Sequence, residues 1–186
     1  VPGSAEQVGL VRWLLHDALD YQRDEVAVGA SKLGWHKPSV SPWHARACFK
    51  KHIPLSSEAE LAASVLLREC NEQTVLVTGA ALSNVAAAID LDSGFAVGLL
   101  LAQGGFAGCN IVPADAVLPK FAGRTTMHTF NFGADNAAAD TVLAHPGFGC
   151  RRLVSKNVCH SERQQRSTTF GREEKSQPAQ LPSLSA

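Results

Sequence analysis

Thr74-Val-Leu-Val-Thr78-Gly79, a small-residue run from Ala80 to Ile89, and then Leu99-Leu-Leu-Ala-Gln103-Gly104-Gly105-Phe-Ala-Gly108-Cys-Asn110-Ile-Val-Pro113 decide how this chain folds. Two short apolar runs each stop at glycine, with a helix-sized segment between them. That is the pattern of a strand, a crossover helix and a second, parallel strand. Ala96 to Ala102 is almost uninterruptedly apolar, as a central parallel strand buried on both faces must be. The expected fold is α/β, a mostly parallel open sheet with helices on both faces. In such sheets, binding groups collect in the loops beyond the carboxyl ends of the strands. Here those loops are Thr78-Gly79 and Gln103 to Asn110.

Outward from this unit the periodicity changes by segment. On the amino side, Ser57-Glu-Ala-Glu60 has capping-box spacing, and Leu61, Ala62, Val65, Leu66 and Cys70 recur at helical intervals. Val8 to Tyr21 places Leu10, Val11, Leu14, Leu15 and Ala18 on one helical face, with His16 on the surface. Glu25 to Gly29 alternates like a short strand. Ala30 to Pro54 has no period, is broken by Pro38, Pro42 and Pro54, and holds Trp35, His36, Trp43, His44 and His52. Its histidines match no standard metal-ligand spacing, so a surface loop with aromatic anchors is expected.

On the carboxyl side, Ser83 is expected to cap a short helix ending at Ile89. Pro113 to Thr126 is a polar excursion, and Met127 to Asn131 alternates weakly as a strand. Asp135 is expected to cap a helix from Asn136 to Ala144. Arg151 to Ser155 reads as a last short strand. From Ser161 onward polar residues and proline dominate, and such a tail buries too little apolar surface to offset its ordering entropy. The expected organisation is one domain over residues 1–160 and a disordered tail over 161–186. The first residue is Val1, not Met, so an upstream piece is expected.

Composition narrows the functional classes. Apolar residues make up 45% of the 186 and charged ones 18%, with 17 acids against 17 bases. A balanced charge provides no general field for nucleic acid or for an anionic membrane. No apolar run reaches the roughly eighteen residues of a membrane span, and no signal-peptide pattern opens the chain. Cys48, Cys70, Cys109, Cys150 and Cys159 are odd in number and form no Cys-x-x-Cys pair. Reduced thiols in a cytoplasmic protein are expected.

Several common catalytic signatures are missing. Gly104-Gly105-Phe-Ala-Gly108 lacks the Gly-x-Gly-x-x-Gly spacing that opens a dinucleotide-binding helix. No Gly-Lys-Ser/Thr exists for a phosphate loop, and no Gly-x-Ser-x-Gly elbow for acyl transfer. An oxidoreductase would also need an acid about twenty residues beyond a proper glycine loop. Asp115 and Asp135 do not supply it.

The polar residues at the strand ends form an ordered set of their own. Thr78-Gly79-Ala-Ala-Leu-Ser-Asn84, Gln103-Gly104-Gly105 with Asn110, and Thr129-Phe130-Asn131 with Asp135 come in that order. The set resembles the inosine-uridine nucleoside hydrolase family, over about Ser56 to His160. Gly104 to Gly108 and Ser155-Lys-Asn-Val-Cys-His160 are similar to segments of its eukaryotic branch. The resemblance implies hydrolysis of the N-glycosidic bond of ribonucleosides, giving ribose and a free base. It implies a calcium ion that takes the Thr78 carbonyl, Asn110 near the 5′ end of the ribose, Asn131 on its lower hydroxyls, and Gln103 covering the sugar. Such chemistry needs hydroxyls held rigidly and a water activated opposite the base, tasks suited to a hard cation with oxygen ligands.

Three parts of the family pattern are missing here. No Asp-rich cluster precedes Thr78, no His-Asp pair lies near the end, and Thr129 stands in place of a glutamate. Turnover by these 186 residues alone is therefore expected to be impaired. A catalytically inactive binding or regulatory module is the alternative. The partners implied are a ribonucleoside and, as an open option, a second copy of the chain, with no nucleic acid and no membrane.

Overall fold

The computed structural model describes residues 5–21, 26–31 and 60–159. Three strands, β3 (Val75–Thr78), β4 (Val97–Gln103) and β5 (Phe148–Val154), form a parallel sheet in the order β3-β4-β5. Register sets Thr78 opposite Ala102, and Gln103 opposite Val154. All three strands therefore end at one edge. β4 is central. A two-residue parallel pair, β1 (Gly29–Ala30) with β2 (Glu60–Leu61), stands apart from this sheet.

Helices α2 (Ala62–Glu69), α3 (Ser83–Leu91) and α5 (Asn136–Ala144) pack side by side. Between them and the sheet lies one core that includes Leu82, Val85, Ala88, Leu100, Ala102 and Val142. The alanines of α3 and α5 let both helices approach closely. Among the described residues one sheet face is covered and the other is not: Val75 and Val77 are 56% and 67% exposed. Strand order gives the reason. The chain steps across the sheet in one direction, and consecutive right-handed crossovers then put their helices on the same face. The helices expected on both faces are therefore found on one among the described residues.

Helix α1 (Ala5–Trp13) continues into a π turn, Leu14–Ala18, and ends at Asp20, which has a left-handed φ of 54°. Val8 is its buried anchor, packed with Val11 and Leu15 against Val28 and Ala30. A Cβ on Gly29 would come within 2.7 Å of the Ala62 Cα, so glycine is what lets β1 approach α2. The helix expected over Leu61 to Cys70 is observed as α2. Its Arg68 pairs with Glu60 and, at 2.8 Å, with Glu69.

Two local expectations are corrected. Ser83 does not cap α3: it is the first helical residue, and the cap is Leu82, which is fully buried. Burial of Leu82 draws the helix start back by one residue. Its carbonyl takes the amides of Val85 (3.0 Å) and Ala86 (2.9 Å). Met127 to Asn131 is not a strand. Thr129 is extended, and the chain then closes a single helical turn, α4 (Phe130–Gly133). The amides of Gly133 and Ala134 turn back to the carbonyls of Thr129 and Phe130, both at 2.9 Å, so the backbone bonds locally and not to a strand. The alternation also fails in detail, since Phe130 is 86% exposed while polar Asn131 is 7% exposed.

Other expectations are met or extended. Asp135 caps α5, its Oδ1 accepting the Ala138 amide at 3.0 Å. β5 begins three residues earlier than Arg151, because its pairing runs along the whole of β4. The turn α6 (Lys156–Cys159) follows it. At the opposite end of the sheet, buried His145 is bonded through Nε2 to the Phe95 carbonyl at 2.8 Å and lies edge-on to Phe148. The Arg151 guanidinium stacks over Phe148 and bonds the carbonyls of His145 and Phe148. The loop over Ala30 to Pro54 (beyond Ser31), Glu25, the Ser57 capping box and the tail from Ser161 lie outside the described residues.

Candidate functional site

Gln103 is the last residue of β4 and Asn131 the second residue of α4, and they meet. Asn131 Nδ2 donates to the Gln103 backbone carbonyl at 2.8 Å and also to Gln103 Oε1. Gln103 Nε2 donates in turn to Cys159 Sγ at 3.3 Å. Both protons of the Asn131 amide are thus engaged inside the protein. Its Oδ1 has no hydrogen-bond partner among the described residues, which leaves it as an acceptor for a hydroxyl.

Thr78 stands one strand away at the same edge, level with Ala102. Its Oγ1 is buried and has no hydrogen-bond partner among the described residues. A buried hydroxyl without a partner is costly. Asn110 is placed differently. It lies exposed in the turn that Gly108 closes by accepting the amides of Ile111 and Val112, both at 2.9 Å. No hydrogen bond joins Asn110 to Gln103 or Asn131. The fold therefore brings Gln103, Asn131 and Thr78 to one edge, and puts Asn110 on the rim of the glycine loop.

That loop is held by packing. The Phe132 ring lies so close to Gly104 that a Cβ there would collide with it, and Gly105 has a left-handed φ of 75°. Gly108 likewise leaves room for the Thr125 carbonyl. Phe106 packs edge-on to Phe121 with centroids 5.1 Å apart. These glycines admit neighbouring parts of the protein itself. Asn157 clasps the loop as a strand partner would, accepting the Ala107 amide at 3.1 Å and donating to its carbonyl at 3.0 Å. The Lys156 amide bonds the Gly105 carbonyl at 2.9 Å, and its Nζ reaches the His128 carbonyl at 3.1 Å. Sequence reasoning gave Asn157 and Cys159 no role. The available signal was the Ser155-to-His160 segment, singled out for its likeness but not for its donors and acceptors.

Asp135 supplies the nearest carboxylate in sequence to Asn131, and it is engaged twice. Besides capping α5, its Oδ2 accepts the Ser83 hydroxyl at 2.6 Å. The Ser83 hydroxyl first, and then the Ala138 amide, hold its pKa below the usual carboxylate value. The site's remaining groups are neutral amides, a hydroxyl and a thiol. Among the described residues no three His, Cys, Asp or Glu side chains cluster to hold a metal ion. A hard cation needs six to eight oxygens with carboxylates among them, and the Thr78 carbonyl with two amides does not meet that need. Calcium does not fit this donor set.

The class these features define is an open parallel α/β domain with a neutral, hydrogen-bonding edge. No family model, curated protein or solved structure matches the chain.

Proposed function

We propose that this chain is a nucleoside hydrolase-like domain that grips the pentose of a ribonucleoside, the reaction of that lineage being hydrolysis of the N-glycosidic bond. The observation that supports the pentose grip is the Gln103–Asn131 pair at the carboxyl end of β4. Its remaining acceptor suits a sugar hydroxyl, which donates. It does not suit a phosphate or carboxylate, which would set acceptor against acceptor.

Binding and turnover are separate properties here. Among the described residues, the edge offers no uncommitted carboxylate to take a proton from water, and an N-glycosidase needs one. This favours a second reading: a binding or regulatory module that holds a ribonucleoside without cleaving it. The unpaired Cys70, Cys109, Cys150 and Cys159 suit a reducing compartment, and the cytoplasm is the location we propose. Among the described residues no helix is long and apolar enough to cross a membrane.

Calorimetric titration with inosine and with uridine, paired with a reducing-sugar assay, tests both readings. Saturable binding with ribose release supports the hydrolase, and binding without release supports the module. Absence of binding to either nucleoside removes both.

A further inference from the structure

We infer that Cys159 is a positioning residue for this site: its sulfur anchors the Gln103 carboxamide, which in turn holds Asn131 with its oxygen left as an acceptor that has no partner among the described residues. The inference rests on the pentose-binding reading for its ligand, but its structural half stands alone.

The direction of the chain of hydrogen bonds follows from its origin. A backbone carbonyl can only accept, so the Asn131 atom at 2.8 Å from the Gln103 carbonyl has to be the amide nitrogen. The second proton of that nitrogen falls on the Gln103 side chain, which must therefore present Oε1. The other half of the carboxamide, Nε2, is then a donor, and the group it meets is Cys159 Sγ at 3.3 Å. Reversing Asn131 would set acceptor against acceptor, and reversing Gln103 donor against donor, within a site where Asn131 is 7% exposed. Each member thus fixes the polarity of the next.

The sulfur is itself well placed to act as an anchor. Cys159 ends α6, and Asn157 of the same turn is bonded at both Oδ1 and Nδ2 to the backbone of Ala107. The relay joins positions 28 and 56 residues apart, so no local preference sets it. Gln103 has three side-chain torsions to order. Without an acceptor at position 159, its carboxamide keeps one hydrogen bond and regains part of that freedom. Asn131 is then held less rigidly, and a hydroxyl meeting its Oδ1 meets a less preorganised partner.

Three proteins test this: the full chain, Cys159→Ala and Cys159→Ser, each followed by the Gln103 and Asn131 side-chain amide signals in nitrogen-15 NMR and by titration with inosine. Serine keeps an acceptor at this position and alanine does not. The expected result is displaced or broadened Gln103 amide signals in C159A without ligand, and inosine affinity weakened about three- to tenfold, the loss of one modest hydrogen bond. C159S should stay within about twofold of the parent. Unmoved Gln103 signals in C159A overturn the inference whatever the parent binds. Equal weakening in both variants also overturns it, since packing and not hydrogen bonding would be the cause. A parent that binds no inosine, with Gln103 displaced in C159A, overturns the pentose reading alone and upholds the positioning role.

Discussion

Replacing Asn131 by aspartate changes almost no volume and reverses one half of the amide. In the parent, Nδ2 carries two protons to two oxygens of Gln103, its backbone carbonyl and Oε1. Aspartate at neutral pH sets an oxygen against both. Two hydrogen bonds of roughly 1 kcal/mol each are lost, and two acceptors are left facing a third with little access to water. The sum is about 3 kcal/mol, which for a chain of this size lowers the melting temperature by about 10 °C. Alanine at the same position removes the bonds without the opposing charge, so Asn131→Ala should cost less than Asn131→Asp. Acidity separates the two further. Burial and facing oxygens raise the folded-state pKa of the introduced carboxyl, so its protonated form is the better tolerated. Stability should therefore recover as pH falls through that raised pKa, where the acid can donate to Gln103, and be lost again as pH rises through it. Thermal melts followed by circular dichroism at several pH values provide the readout. Equal melting temperatures for N131D and the parent at neutral pH would refute the Gln103–Asn131 anchor, and N131D no worse than N131A would refute its polarity.

Other outcomes follow from the same structure. Leu100, fully buried under α3 and α5, should cost about 2 to 5 kcal/mol on truncation to alanine, whereas exposed Val77→Thr should stay within about 0.5 kcal/mol; urea unfolding compares the two. The depressed pKa of Asp135 means its ionised form stabilises the fold above its ordinary value of 3.8, and that contribution fades as pH falls below it. The melting difference between the parent and Asp135→Ala should accordingly shrink in acid. Asn110→Ala should leave the melting temperature unchanged, because the side chain is exposed; weaker inosine binding in this variant would place the rim of the glycine loop at the ligand. Gly104→Ala should disturb the loop and inosine binding together, since its Cβ would displace the Phe132 ring, and amide signals from Gly105 to Gly108 would report it.

How much of this was legible in the sequence depends on the range of the interaction responsible. Short-range signals settled the helices α2, α3 and α5, the cap at Asp135 and the strands β3 and β4. A period of 3.6, a capping carboxylate and an apolar run are each complete within about ten residues. The same signals set Thr78 and Gln103 at the strand ends, because an apolar run followed by glycine is a local event. They failed where the deciding partner is distant. Met127 to Asn131 alternates weakly, but the residue the fold buries is polar Asn131, which is bonded to the distant Gln103, while Phe130 is exposed. Ser83 is a good capping residue, but Leu82 is the side chain the core takes up, so the helix begins around it.

The candidate site divides in the same way. Sequence by itself determined that neutral polar residues, Thr78, Gln103, Asn110 and Asn131, crowd the ends of the strands and the loops beyond them, and that no Gly-x-Gly-x-x-Gly, Gly-Lys-Ser/Thr or Gly-x-Ser-x-Gly motif accompanies them. Only the tertiary structure decided which of them work together. It joined Asn131 to Gln103 across 28 residues and Gln103 to Cys159 across 56, and it left Asn110 outside that relay. Local pattern carries no record of such pairs, because a buried amide finds its partner only after helices and strands have docked and closed the water out.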